Sequence, residues 1–94
     1  MVNKHGRLAW EYWQTYRPNA LAELGGPDEQ ERFFNELGLR VLDRIGELSD
    51  DLLEQVPAQQ RALQRNAVRQ QATELVYEEE VYLPKEPGTE HREL

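Results

Sequence analysis

Three sets of side chains in this sequence have the chemistry of a site: two histidines, a run of three glutamates and an evenly spaced row of three arginines. Histidine is the usual acid–base and metal-binding side chain. His5 and His91 stand far apart in the chain, and neither has a helical partner three or four residues on. That is not metal-ligand spacing, so both are expected to be structural or incidental. Glu78-Glu79-Glu80 is a local pool of negative charge. Consecutive helical residues point in different directions, so it reads as a solvated helix end before it reads as a mimic of nucleic-acid charge. Arg61, Arg65 and Arg69 recur every four residues, which places them on one helical stripe. With Gln64 and Asn66 beside them they could contact phosphates. The competing expectation is internal: antiparallel packing around Pro57 would set them against Glu36, Asp43, Glu47 and Glu54. Gly25-Gly26-Pro27 lacks the Lys-Ser/Thr that completes a phosphate loop. No catalytic, cofactor-binding or metal-binding residue is expected.

A different kind of site lies in residues 5–18, which hold both tryptophans and two of the four tyrosines. Aromatic side chains bury large areas and anchor small cores or interfaces. Leu8, Tyr12 and Tyr16, joined by Ala9 and Trp13, share one helical face, and that face is expected to be core. Trp10 falls off it. Tryptophan and arginine are the residues most enriched at binding hot spots, so Trp10, with Arg7 and Arg17, is the candidate surface for a protein partner.

The chain has 94 residues, no cysteine and a net charge of −7. One domain with a modest core is expected at this size. The lack of cysteine excludes disulfides and thiolate chemistry. No run approaches the ~20 apolar residues of a membrane span, and no secretory leader is visible near Met1. A cytoplasmic protein that does not engage membranes is expected. The charge is unevenly spread. Residues 19–56 hold ten acids and three bases, whereas residues 57–73 hold three arginines and no acid.

Leu, Ala, Glu, Gln and Arg dominate, and all are strong helix formers. A helix over about 4–16 should end at Arg17, because the residue before proline avoids the α region. A short helix follows from Pro18. Pro27 opens a long amphipathic helix with apolar positions Phe34, Leu37, Val41, Ile45, Leu48, Leu52 and Val56, in near-heptad steps. A helix this long either projects, packs against another long helix or breaks, and Ser49-Asp50-Asp51 is the expected place of a break, since serine caps helices well. Gly38 and Gly46 are small enough for another helix to come close. Pro57 makes a corner, and a last helix over 58–79 carries a thin stripe of Leu63, Ala67, Leu75 and Val76. The fold expected is all-α. A short aromatic N-terminal helix packs on a long helical hairpin cornered at Pro57, forming a single helical domain over 1–84. Residues 85–94 are expected to be a flexible, disordered acidic tail.

Two blocks resemble a known group. Gly6-Arg7-Leu8, Tyr12 and Arg17-Pro18 look like the opening of small transposon-encoded TnpV-type proteins. Glu74 to Tyr82 (ELVYEEEVY) is similar to the closing segment of that group. The resemblance implies a small helical accessory protein of a mobile element (a transposon, integrative plasmid or phage) with no enzymatic activity. The leading functional expectation is therefore helical protein–protein interaction with a host or element protein. The thin stripe of the last helix leaves surface for a second chain, so a homodimer is expected. The alternative is a nucleic-acid-binding accessory factor for recombination or transcription that uses Arg61, Arg65 and Arg69.

Overall fold

A computed structural model describes all 94 residues as helices joined by turns, with no strand. Helix α1 spans Lys4–Tyr16, α2 Pro18–Glu23, α3 Pro27–Glu54 and α4 Arg61–Glu80, with a 3-10 turn at Ala58–Gln60 before α4. The chain ends are explained locally. Asn3 caps α1, its Oδ1 accepting from the Gly6 amide at 2.9 Å. Arg17 leaves the helical region ahead of Pro18 (φ −136°, ψ 50°), which separates α1 from α2. Gly25 takes a φ of +115°, the left-handed region open to glycine, and turns the chain into α3. Pro27 occupies the first turn of α3, with Asp28 and Glu29 favourably placed at the positive end of its dipole.

Helix α3 is the backbone of the molecule, and α4 returns antiparallel along it after the corner at Pro57. Phe34, Leu37, Val41 and Ile45 of α3 are buried against Ala9, Tyr12, Trp13 and Tyr16 of α1 and Ala72 and Val76 of α4. Val2 and Val81 close the cluster. Two glycines set how tightly α1 crosses α3. A Cβ on Gly6 would collide with the Phe34 carbonyl oxygen. One on Gly38 would collide with the Asn3 carboxamide and lie 2.9 Å from the Gly6 nitrogen. The close approach expected at Gly38 is therefore present, with Gly6 as its counterpart. Gly46 has nothing within 4 Å of the same position.

Three sequence expectations are corrected. First, α3 does not break at Ser49 but runs for 28 residues. Ser49 sits between half-buried Leu48 and Leu52, and packing of the apolar stripe outweighs a local capping preference. Second, the buried stripe of α4 is Val68, Ala72 and Val76. Of the residues named from the sequence only Val76 is in it; Leu63, Ala67 and Leu75 face solvent. Third, residues 85–94 are not a disordered tail. The Glu86 amide donates to the Tyr16 carbonyl at 2.8 Å, and the hydroxyl of Thr89, almost wholly buried, is shared between the Glu86 carbonyl at 2.7 Å and the Tyr16 carbonyl at 3.1 Å. Glu86 also accepts from the Asn19 and Ala20 amides at 3.0 and 2.9 Å, satisfying the free donors of α2. The Tyr16 hydroxyl donates to the Arg92 carbonyl at 2.6 Å. A polar, proline-interrupted composition suggested disorder, but here side-chain hydrogen bonds to the end of α1 hold the segment.

The packed head occupies only part of the molecule. From Gly46 on α3 to Ala67 on α4 no residue is buried. This stretch is a two-helix arm. It makes the molecule 49 Å long and only 15 Å thick, with a radius of gyration of 15.8 Å; a compact chain of this length would have about 12 Å.

Candidate interaction surface

The aromatic candidates separate around α1. Arg7 is exposed beside a shallow depression lined by Lys4, Leu8, Glu11 and Tyr77, so it looks toward α4. Trp10 looks toward α3: it is half-buried, stacks on Phe34 at 5.4 Å with planes 12° apart, and donates through Nε1 to Gln30 Oε1 at 3.2 Å. Arg17 serves the C-terminal segment, donating to the Pro84 carbonyl at 2.6 Å while its guanidinium lies 4.7 Å from the centre of the Trp13 ring. The three therefore do not form one patch, and Trp10 and Arg17 are engaged inside the fold.

His5 is buried, with its Nδ1 hydrogen-bonded to the Tyr77 hydroxyl at 2.6 Å and the rings edge to face. Burial lowers the His5 pKa below its ordinary 6.5, with smaller contributions from the charges of Lys4 and Arg69. Burial likewise raises that of Tyr77, helped by Tyr82. The pair joins the two aromatic blocks. Tyr12 adds a second link, packing on Tyr82 at 5.4 Å and donating to the Leu83 carbonyl at 2.7 Å. Both links thus run from α1 to the Glu74–Tyr82 block, through two tyrosines five residues apart at the end of the last helix. His91 is exposed. No group of three or more His, Cys, Asp or Glu residues has a metal-holding arrangement.

The arginine row lies along the arm, and its expected internal partners are elsewhere. Arg61 uses its guanidinium on backbone, donating from Nε to the Val56 carbonyl at 3.0 Å and from a terminal nitrogen to the Glu54 carbonyl at 3.3 Å. It thereby satisfies free acceptors at the end of α3. Arg65 and Arg69 are exposed and make no ion pair. The ion pairs between α3 and α4 are Arg40 with Glu80 at 3.4 Å and Arg44 with Glu79 at 3.2 Å, both at the head end. Two acids of Glu78-Glu79-Glu80 thus meet arginines of α3, where a solvated helix end was expected. Asp43, just before the arm, and Glu47, Asp50, Asp51 and Glu54 along it remain exposed and unpaired.

Large apolar side chains also stand in solvent around the arm. Leu39 and Leu42 at its base are 52% and 41% exposed, and Leu63 near its tip is 84% exposed. A shallow groove between Asp50, Leu53, Glu54 and Arg61 runs at the corner. The sequence puts Leu63 on the thin apolar stripe of the last helix; its exposure is a consequence of the buried stripe beginning only at Val68.

These features define an all-α protein whose exposed apolar and charged surface is concentrated on a two-helix arm. None of its helices is long and apolar enough to cross a membrane. Comparison with known protein families, with curated proteins and with solved structures gave no match.

Proposed function

We propose that this chain is a small non-catalytic accessory protein that acts by helical protein–protein interaction, and that its arm is the binding element. The observation that carries the reading is the arm itself: a continuous stretch, Gly46 to Ala67, without one buried residue and with Leu63 standing in solvent. Exposed apolar surface rimmed by charge is the usual mark of a protein interface. The mobile-element setting rests on the two resembling blocks. Those blocks pack on each other through His5–Tyr77 and Tyr12–Tyr82, so they form one structural unit.

Affinity capture with the full chain from its native host tests the reading. Specific capture of a host or element protein, lost with Leu63→Glu and kept with Trp10→Ala, supports an arm-based interaction. Capture indifferent to Leu63→Glu rejects the arm. Exposed Arg65 and Arg69 favour nucleic acid as the second reading. A net charge of −7 opposes it, because nucleic-acid affinity is dominated by cationic attraction. A salt-sensitive gel shift with element-end DNA, abolished by Arg65→Ala and Arg69→Ala together, would replace the protein reading with that one.

A further inference from the structure

We propose that the outer face of α3, running from the head onto the arm, docks a cationic amphipathic helix of another protein. That helix has apolar side chains at three- and four-residue steps and lysine or arginine along one edge. This rests on the reading of helical protein–protein interaction, and names a face and the chemistry of what it binds.

Two patterns on α3 define the face. The first is apolar. Leu39, Leu42, Gly46, Ser49 and Leu53 recur in steps of three, four, three and four, the spacing of a helix–helix seam. They gather about 100° round α3 from the buried row of Phe34, Val41 and Ile45. The row is open: Leu39 and Leu42 are 52% and 41% exposed, and nothing lies within 4 Å of where a Gly46 Cβ would stand. With leucine at both ends and small residues between, a partner helix can come closest at Gly46. Leu39 to Leu53 is about 21 Å at 1.5 Å per residue, so a partner of about four turns covers it.

The second pattern is charge. Asp43, Glu47, Asp50 and Glu54 form a parallel row about 90° further round, all exposed and without an ion pair. That is where the flanking charges of a seam stand, and such charges select the partner. The nearby bases do not neutralise the row. Arg44 pairs with Glu79, and Arg61 spends its guanidinium on the Val56 and Glu54 carbonyls. The flank is therefore acidic along its length and is matched by lysine or arginine. A second copy does not supply that match. Antiparallel pairing of two such faces about Gly46 lays Asp43 of one copy beside Asp50 of the other. The remaining exposed leucines of the helices have no base on their own face. Leu63 lies about 200° round α4 from Arg65, and Leu75 neighbours Glu78 and Glu79.

Fluorescence anisotropy tests this by titrating the full chain into a labelled synthetic peptide. The probe is a helix of about 18 residues with leucines at three- and four-residue steps and lysines beside them. It is compared with a shuffled peptide of the same composition and with a version carrying glutamate for lysine. The leucine–lysine helix should bind one-to-one at physiological ionic strength, the shuffled peptide about tenfold more weakly, and the glutamate version not at all. Leu39→Gln with Leu42→Gln should weaken the leucine–lysine helix by roughly tenfold or more. Glu47→Lys with Asp50→Lys should weaken it by about as much and admit the glutamate version. Glu74→Lys with Glu78→Lys makes the same charge change at exposed positions of α4 and should alter the affinity by less than about threefold. Circular dichroism checks that each variant keeps its helices. No saturable binding at about 100 µM, a hundredfold above a micromolar Kd, overturns the proposal. So does equal binding of the shuffled peptide, indifference to either pair on α3, or a loss on α4 as large as that on α3. A wild type that sediments as a dimer, and as a monomer with Leu39→Gln and Leu42→Gln, gives the face to a second copy and overturns it too. Host capture that requires Leu63, beside a peptide that fails to bind, would overturn this inference and leave the arm-based function standing.

Discussion

Replacing Gly6 by alanine pits two effects of known size against each other. Glycine in a helix interior costs about 1 kcal/mol relative to alanine, so at Gly6, in the first turn of α1, the substitution favours the helix by no more than that. Tertiary structure opposes it. The new methyl would collide with the Phe34 carbonyl oxygen and come within 2.7 Å of Val2 Cγ1 and 3.2 Å of the Phe34 carbonyl carbon. A carbon atom needs about 3.3 Å from a carbonyl oxygen, so α1 must retreat from α3 by about 1 Å. Such a gap forfeits roughly a quarter to a half of the dispersion attraction across it. The losses fall on Ala9, Trp10 and Trp13 where they face Phe33 and Phe34. Forced separation of packed elements costs about 1–3 kcal/mol or more, which exceeds the propensity gain. A net loss of about 1–2 kcal/mol lowers the melting temperature by roughly 5–15 °C in a domain of this size. Gly46→Ala is the control. It makes the same change in the same kind of helix with nothing within 4 Å, so it should gain about 0.5–1 kcal/mol. Thermal unfolding followed by far-ultraviolet circular dichroism, in dilute solution, reads both. If Gly6→Ala melts as high as the wild type, the two helices do not cross in contact and the reasoning fails.

Acid should weaken the fold through His5. Its folded pKa lies below 6.5 because of burial first and the Lys4 and Arg69 charges second, so the unfolded chain takes up the proton first. The stability is complete above about 6.5 and is lost as pH falls toward the lower folded value. Urea midpoints across this range should fall more for the wild type than for His5→Gln, and equal slopes would contradict a buried neutral imidazole. Glu86→Ala should cost about 1 kcal/mol, the usual loss when a helix start loses its cap. Amide exchange at Asn19 and Ala20 should quicken, and unchanged exchange there would show that Glu86 does not hold the segment.

Much of the helical frame was legible because it is local. Asn3, Arg17-Pro18, Gly25, Pro27 and Pro57 each act on neighbouring backbone, and they mark element ends where expected. The α3 stripe was legible because its 3–4 period is regular. What escaped depends on partners distant in sequence. Glu86 and Thr89 look like solvated residues until the end of α1 is beside them. Trp10 falls off the apolar face of α1 when that face is drawn for one neighbour, but α1 is covered on two sides, and Phe34 and Gln30 meet it on the second. Ser49 looked like a cap because propensity was weighed without the packing of Leu48 and Leu52. The arginine row was assigned to the acids of α3, whereas the observed pairing uses Arg40 and Arg44 at the other end.

The arm follows from a mismatch between two stripes. On α3 the apolar positions run from Phe34 to Leu52, about 27 Å at 1.5 Å per residue, with Val56 just beyond the helix end. On α4 the buried positions run from Val68 to Val76, with Val81 just beyond, at most about 20 Å. Two antiparallel helices can bury each other only over the shorter stripe, and α1 covers only the head. The far part of the α3 stripe, Leu48, Leu52 and Val56, therefore stays half-exposed, beside a stretch of α4 whose only large apolar residue, Leu63, faces away. Residues 57–67 bring alanine, glutamine and arginine instead of an apolar face, so this chain alone cannot complete the pairing. Helical hairpins gain most of their stability from packing, and an arm this thin is held weakly when free. Binding that covers it would therefore stabilise the same segment it recognises, which ties the arm's persistence as a helix pair to the presence of its partner.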